Sequence, residues 1–145
     1  MAKGSHEYID DPRNAAIRIW INGELFARED AKVSVFDSGF ILGDGVWEGL
    51  RVHEGQIAFL DRHLDRLYEG AKAIDMEIGL TPEALTQALY DTLKANEMSG
   101  DGVHIRLMVT RGIKATPYQD PRVTISPATV VIIPEWKTPK PETAT

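Results

Sequence analysis

The sequence predicts an α+β fold in which an antiparallel β-sheet carries two helices on one side. Short β-rich segments come first, two stretches with helical periodicity follow, and further β-rich segments come last. The first β-rich segments flank Asn22-Gly23, the strongest two-residue hairpin signal in the chain. A length of 145 residues with 43% apolar residues suits about one domain that buries its own core.

The first hairpin is predicted from residues 17–21 and 24–27, which are rich in β-branched and aromatic residues on either side of the Asn-Gly turn. Val33 and Val35 then alternate with polar residues, which predicts an edge strand over residues 31–36. This strand leads into a glycine-rich stretch.

Glycines at positions 39, 43 and 45 predict a backbone that bends or passes close to another segment. Residues 46–53 and 56–60 follow on either side of a Glu-Gly turn, and they predict a second hairpin.

Two helices are predicted next. Apolar residues spaced three or four apart define one face of the first helix: Leu60, Leu64, Leu67, Ala71 and Ile74. Asp61 is the expected N-cap of this helix, and Thr81 followed by Pro82 is the expected start of the second, which runs to about Asn96.

Two strands complete the predicted sheet, over residues 103–110 and 129–133, with a polar loop over 112–127 between them. We assign residues 1–16 to an N-terminal arm, 17–134 to the domain, and 135–145 to a proline-containing interdomain linker or tail.

The composition excludes several classes of function. A formal charge of −6 argues against nucleic acid or an anionic membrane surface as a partner, and favours a small molecule or a protein. The absence of cysteine removes a thiolate nucleophile and a disulfide framework, and we predict no metal site. Residues 1–16 are too polar for a signal peptide, and no apolar run approaches a bilayer-spanning length, so we expect a cytoplasmic protein.

Four motifs, in order along the chain, carry a resemblance to a known family. The segments GDGVWEGLR, HLDRL and HIRLMVTRG, with the opening WINGELF hairpin, resemble the N-terminal half of the class IV (fold type IV) pyridoxal-phosphate aminotransferases. This family includes branched-chain and D-amino-acid aminotransferases and aminodeoxychorismate lyase. The resemblance covers residues 18–134 in order. It implies the small N-terminal domain of that fold, pyridoxal 5'-phosphate as cofactor, an amino acid or 2-oxo acid as substrate, and a homodimer.

Arg66 is the candidate cofactor-binding residue. The resemblance implies that the arginine of His-x-x-Arg-Leu holds the cofactor phosphate, and a planar guanidinium suits a phosphate because it binds bidentately and stays charged. The alternative is an exposed helix arginine paired with a surface carboxylate such as Asp61, Asp65 or Glu69. His63, one helical turn earlier, either orients the arginine or bonds locally.

Trp47, Arg106 and Arg111 are the candidate substrate-binding residues. The resemblance implies that Trp47, where relatives carry Tyr or Phe, lines the substrate pocket, and the alternative is a core aromatic residue. It also implies that Arg111, or else Arg106, binds the substrate carboxylate; the alternative is a solvated charge or an ion pair. Glu48 is expected on the opposite face from Trp47, because successive strand residues alternate.

No catalytic residue is assigned. The resemblance implies that the lysine that forms the Schiff base, the carboxylate paired with the pyridine nitrogen and a second phosphate loop all belong to the C-terminal half of such enzymes. The late lysines Lys114, Lys137 and Lys140 do not stand in that context. The chain is therefore expected to supply half a site. The whole protein is then a transaminase of branched-chain or D-amino acids or of an amine, a lyase of the aminodeoxychorismate type, or a non-catalytic binding domain.

Overall fold

The computed structural model describes Tyr8 and residues 10–137, within which six strands form one antiparallel sheet. The strands are β1 (Arg18–Ile21), β2 (Glu24–Ala27), β3 (Gly45–His53), β4 (Gln56–Ile57), β5 (Val103–Thr110) and β6 (Thr129–Trp136). Their order across the sheet is β2-β1-β6-β5-β3-β4. The same residues form three α-helices, α1 (Ser38–Leu42), α2 (Leu60–Ala73) and α3 (Pro82–Ala95). The predicted α+β fold class is confirmed.

The hydrophobic core lies between the sheet and the two long helices. Strand β5 supplies alternate residues Val103, Ile105, Leu107 and Val109, each at most 1% exposed. They pack in one cluster with Leu64 and Leu67 of α2 and Leu85, Leu89 and Leu93 of α3. This alternation is the reason that the sequence predicts β5 with its observed bounds.

The intervening residues of β3 and β5 form the opposite side of the sheet, which we call the open face. These residues are half-buried or exposed, and they are Trp47, Gly49, Arg51, His104, Arg106 and Met108. The β3–β5 ladder pairs residues one to one from Gly45 with Thr110 to Val52 with Val103. Because this register is uninterrupted, successive residues of β3 project to opposite faces.

The strand predicted over residues 31–36 is wrong. Residues 28–30 form a 3-10 helix and the backbone then turns, because the Ser34 hydroxyl accepts from the Phe36 amide and the Ser34 carbonyl accepts from the Asp37 amide. Val33 and Val35 are 46% and 65% exposed, so their alternation does not reflect a buried face.

The glycine-rich stretch contains the short helix α1, which the sequence analysis did not predict. Asp37 caps it by accepting from the Gly39 amide at 2.8 Å, and Gly43 ends it in the left-handed conformation at φ 66°. Gly45 then passes so close to β5 that an added Cβ would lie 2.5 Å from the Val109 carbonyl oxygen. The prediction that this stretch bends and makes a close approach is confirmed.

Helix α2 begins earlier than expected, and the predicted N-cap is wrong. Strand β4 ends at Ile57, the N-cap position is Phe59 with φ 52°, and no side chain caps the helix there. Asp61 lies inside the first turn, where the positive end of the helix dipole stabilises a carboxylate. For α3, the predicted start is confirmed, because the Thr81 hydroxyl accepts from the Ala84 amide.

Both predicted terminal segments contain residues that lie in the sheet or are hydrogen-bonded to it. Strand β6 runs to Trp136, so residues 135 and 136 are strand residues and not linker. Residues 12–16 form a 3-10 helix, whose buried Asn14 donates to the Trp136 carbonyl at 3.0 Å and accepts from its amide at 2.7 Å. The rest of the arm, apart from residues 8 and 10–11, and the linker from residue 138 lie outside the described residues, and the division into arm, domain and linker stays a prediction.

Among residues 8 and 10–137, no helix is both long and apolar enough to cross a bilayer.

Candidate functional site

Glu48, His63 and Arg66 form a hydrogen-bonded cluster between β3 and α2. Arg66 donates from Nε to Glu48 Oε2 at 2.9 Å and from Nη2 to Glu48 Oε1 at 2.6 Å. His63 Nδ1 lies 2.7 Å from the same Oε1. Alternation along β3 turns Glu48 toward the helices, and the three-residue spacing brings His63 and Arg66 to it from one helical face.

The cluster is buried on one side and exposed on the other. The Glu48 side chain is 5% exposed, whereas that of Arg66 is 71% exposed. The hydrogen bonds from Arg66 and His63 hold the pKa of the Glu48 carboxyl below its ordinary value, against the opposing effect of burial. The same carboxylate raises the pKa of Arg66. Glu48 is therefore ionised at neutral pH and serves only as an acceptor.

Arg66 retains unused hydrogen-bonding capacity. A guanidinium has five N–H groups, and the fork to Glu48 uses the Nε–H and one Nη2–H. The two Nη1–H groups and the second Nη2–H lie on the remaining edges of the plane. These are the groups with which an arginine binds a second anion end-on. The partner of Arg66 is thus a buried carboxylate from another element, and not the surface carboxylates of its own helix.

Trp47 and Arg106 lie together on the open face. The guanidinium carbon of Arg106 is 4.3 Å from the centroid of the Trp47 ring, a cation–π arrangement. Trp47 is 59% exposed, so it is not a core aromatic residue. Glu48 projects to the other side of β3, as the alternation predicts.

His104 is a candidate ligand-binding residue that the sequence alone does not indicate. It lies on the open face, where a Cβ at Gly49 would be 3.2 Å from its Nε2 atom. Burial, together with the positive charges of Lys137, Arg51 and Arg106, lowers the pKa of His104 to about 4. Its imidazole is therefore neutral at pH 7 and offers both a donor and an acceptor beside Arg106. A single histidine in an alternating strand gives no sign of this environment.

Arg111 is engaged in structural contacts. Its Nε donates to Asp44 Oδ2 at 2.7 Å and its Nη2 to Asp44 Oδ1 at 3.3 Å. Its Nη1 and Nη2 also donate to the carbonyl oxygens of Asp75 and Ile74, just after α2, at 2.9 and 2.6 Å. The Arg111 side chain is 12% exposed, and these four bonds leave it one N–H group. Arg111 therefore connects the end of β5 to Asp44 and to the end of α2.

The structure brings together two of the four predicted site residues, Trp47 and Arg106. Arg66 binds Glu48 on the helix side of β3, and Arg111 lies at the strand end. Two hollows, of about 530 and 340 Å³, lie beside Pro117–Asp120 and beside the end of α3, and neither is lined by any of the four. Neither hollow lies between α2 and the glycine-rich stretch. Within the described part of the chain, no group of three or more His, Cys, Asp or Glu residues could hold a metal ion.

Comparison with known proteins identifies the family. The model of the amino-transferase class IV family matches residues 45–144, which is more than half of the chain. Branched-chain-amino-acid aminotransferase-like protein 1 of Arabidopsis thaliana is 44% identical over 128 residues, which cover 88% of this chain and 23% of that protein. The chain therefore belongs to the class IV aminotransferases.

Solved structures share the fold. The T.th. branched-chain amino acid aminotransferase, complexed with N-(5'-phosphopyridoxyl)-L-glutamate, superposes with a TM-score of 0.72 and 32% identity over 84% of this chain and 40% of its own. The 4-amino-4-deoxychorismate lyase of Pseudomonas aeruginosa superposes with a TM-score of 0.63 and 33% identity over 85% and 40%. The chain thus spans less than half the length of each of these relatives. The predicted fold, the N-terminal domain of the fold type IV enzymes, is confirmed.

Proposed function

We propose that this chain supplies the phosphate-binding and substrate-binding part of a pyridoxal-phosphate-dependent aminotransferase. Arg66 binds the cofactor phosphate, and Trp47 and Arg106 contact an amino acid or 2-oxo acid substrate. When bound, pyridoxal phosphate supplies the electron withdrawal that weakens bonds at the α-carbon of an amino substrate. The substrate series, branched-chain or D-amino acids, stays a prediction.

The proposal rests on the contacts and the exposure of the Arg66 side chain. Its guanidinium is held by a buried carboxylate on one edge, while three N–H groups remain on the other edges of a side chain that is 71% exposed. A phosphate monoester carries close to two negative charges and three acceptor oxygens. Such a group fits the free edge of Arg66, since guanidinium and phosphate form paired hydrogen bonds.

Arg106 is the better candidate for the substrate carboxylate. Four of the five N–H groups of Arg111 already bind Asp44 and two carbonyl oxygens, so a carboxylate held by two N–H groups would have to displace at least one of these bonds. Arg106 instead rests on Trp47 on the open face, and the neutral His104 lies on the same face. An aromatic ring beside a cation and a neutral donor suits a molecule with one apolar part and one carboxylate.

The proposal for Arg66 is tested by comparing two ligands that differ only in the phosphate. Affinities for pyridoxal 5'-phosphate and for pyridoxal are measured by calorimetry on the wild type and on Arg66→Ala. Arg62→Ala is the matched control, because Arg62 is also an exposed arginine of α2. We expect Arg66→Ala to lower the preference for the phosphorylated ligand by about tenfold or more, since charge-assisted hydrogen bonds are lost. An unchanged preference in Arg66→Ala would remove Arg66 from the site.

A lyase is the second candidate function, and the likeness to the 4-amino-4-deoxychorismate lyase favours it. The two reactions differ in their need for an acceptor. Transamination requires a 2-oxo acid to receive the amino group, whereas a lyase turns over 4-amino-4-deoxychorismate without one. Product formation that depends on an added 2-oxo acid supports the aminotransferase. Both assays use the whole protein, because this chain is expected to supply only half of the site. Retained phosphate binding by the whole protein with neither activity supports the third candidate, a non-catalytic binding domain.

Exposed apolar side chains support the predicted association with other chains. Val35, Phe36 and Phe40 are 65%, 43% and 72% exposed around α1. Clustered exposed apolar side chains mark protein interaction surfaces more often than isolated ones do. The expected partners are a second copy of the chain and the C-terminal half of the enzyme. If the chain forms a homodimer, analytical ultracentrifugation should give twice the chain mass of 16.1 kDa. Phe40→Ser should shift the distribution toward the monomer, and a wild-type chain that remains monomeric at high concentration contradicts the prediction.

A further inference from the structure

We propose that Glu48 is a positioning residue that fixes the orientation of Arg66 and thereby presents its free N–H groups to a phosphate. This inference rests on the proposed function of Arg66. It goes beyond it by assigning a role to a residue that does not itself bind the ligand.

Glu48 restricts the motion of an otherwise exposed side chain, that of Arg66. A long arginine side chain that is 71% exposed samples many rotamers unless something holds it. The Glu48 carboxylate holds it at two points, through Nε and Nη2, and two parallel hydrogen bonds fix the guanidinium plane as well as its place. Glu48 is itself fixed, because it lies in the middle of β3 with its side chain 5% exposed.

Three N–H groups of Arg66 remain outside the fork to Glu48. The fork uses the side of the guanidinium that includes Nε, so both Nη1–H groups and one Nη2–H group point away from Glu48. An anion then meets an arginine that is already oriented, and binding does not require the side chain to be ordered first. Preorganisation of this kind improves affinity without adding a contact.

His63 contacts the same carboxylate. Glu48 accepts all of its hydrogen bonds, so the 2.7 Å contact from His63 Nδ1 requires a proton on Nδ1. His63 thus braces Oε1, the oxygen that also receives Arg66 Nη2. The sequence leaves open whether His63 orients the arginine or bonds locally, and this geometry gives His63 an indirect role through Glu48.

The negative charge of Glu48 has the opposite effect on phosphate affinity, and experiment can separate the two effects. Glu48 is negatively charged and repels a phosphate, so loss of its charge alone strengthens phosphate binding. Loss of positioning weakens it. Glu48→Asp separates the two effects, because it keeps the charge but withdraws the carboxylate by one methylene group and breaks the fork.

The experiment uses the 145-residue chain labelled with ¹⁵N and titrated with inorganic phosphate by NMR. Glu69→Asp is the matched control, since Glu69 is an exposed carboxylate of the same helix as Arg66. We expect Glu48→Asp to lower the order parameter of the Arg66 Nε–H vector and to weaken phosphate binding by about threefold to tenfold, because part of the arginine rotamer entropy is no longer removed before binding. Glu69→Asp should change neither quantity. Far-UV circular dichroism checks that each variant is folded.

The outcomes separate the two proposals. Arg66→Ala with unchanged phosphate affinity overturns the proposed function. Arg66→Ala with lost affinity, but Glu48→Asp with wild-type affinity and an ordered Arg66, overturns only the positioning role. Should Glu48→Asp fail to fold, His63→Leu gives the same readout, because leucine has no donor for Oε1 and leaves the charge of Glu48 in place. A His63 whose Nδ1 carries no proton in the wild type, as read from its ¹⁵N shifts, also contradicts the assignment.

Discussion

Replacement of Arg111 by methionine should destabilise the protein far more than the same replacement of Arg106. Methionine keeps an unbranched apolar stem but removes the guanidinium. In Arg111→Met the Asp44 carboxylate, 20% exposed, loses both of its bonds, and two carbonyl oxygens after α2 lose their donors. Breaking a partly buried charge pair costs about 2–4 kcal/mol, less than a fully buried one because water reaches the carbonyl groups.

The matched variant loses much less. Arg106 is exposed and its described contact is the stacking on Trp47, so Arg106→Met should cost only about 0.5–1 kcal/mol. With a urea m-value of about 2 kcal/mol per M, the unfolding midpoint should fall by about 1–2 M for Arg111→Met and by about 0.5 M or less for Arg106→Met.

Urea unfolding followed by circular dichroism measures both midpoints, and Asp44→Asn completes a double-mutant cycle with Arg111→Met. The cycle should be strongly non-additive, because either change alone already breaks the pair. The order of the two arginines should reverse in ligand binding, where Arg106→Met weakens the affinity for a 2-oxo acid. Equal midpoint shifts for the two variants would refute the structural role of Arg111.

Three further predictions concern stability. In the folded state the pKa of Glu48 lies below its ordinary value of 4.5, so the stability that Glu48 contributes is present above pH 4.5 and is lost as the pH falls through the folded-state pKa. Glu48→Gln should therefore reduce the dependence of urea unfolding on pH in the acid range. An unchanged pH dependence would count against this role of Glu48. Gly45→Ala should cost about 1–3 kcal/mol because its Cβ meets the Val109 carbonyl, whereas Gly100→Ala, with open space around it, should unfold within about 0.5 kcal/mol of the wild type. Asn14→Ala should cost about 1–3 kcal/mol by releasing both backbone groups of Trp136, and a cost below about 0.5 kcal/mol would mean that this 3-10 helix does not stabilise β6.

The elements that the sequence predicts well are those with a local pattern. Alternation places β5 because every second residue is buried, and Thr81 followed by Pro82 starts α3 because hydroxyl capping and a missing amide both favour a first turn. Helix α1 has five residues, too few for a periodicity to show. Residues 31–36 alternate like a strand, but Ser34 directs the backbone into a turn.

The end of β6 shows how sheet context changes the meaning of a proline. Pro134 suggests that the strand has ended, yet it pairs with Ile105 of β5 and the strand continues to Trp136. Strand β1 is paired with β6 only at Val131 and Ile132, so the missing amide of Pro134 deprives no neighbour of a hydrogen bond. Only the neighbouring strands reveal this.

The candidate site depends on contacts between distant parts of the chain. The motif around Arg66 indicates an anion-binding residue, but its partner Glu48 is 18 positions away on another element. Arg111 and Asp44 are 67 positions apart. No spacing rule predicts such pairs. The position of Arg111 at a strand end therefore favours it for the substrate carboxylate, although four of its five N–H groups are already bonded within the protein.

The orientation of Arg66 toward a phosphate is tested most directly by a crystal structure of the chain grown with pyridoxal 5'-phosphate. The expected result is a phosphate group whose oxygens lie about 2.7–2.9 Å from Arg66 Nη1 and Nη2, with the Glu48 fork unchanged behind them. A phosphate bound elsewhere, or an Arg66 that leaves Glu48 and remains in solvent, would contradict the phosphate-binding role of this arginine.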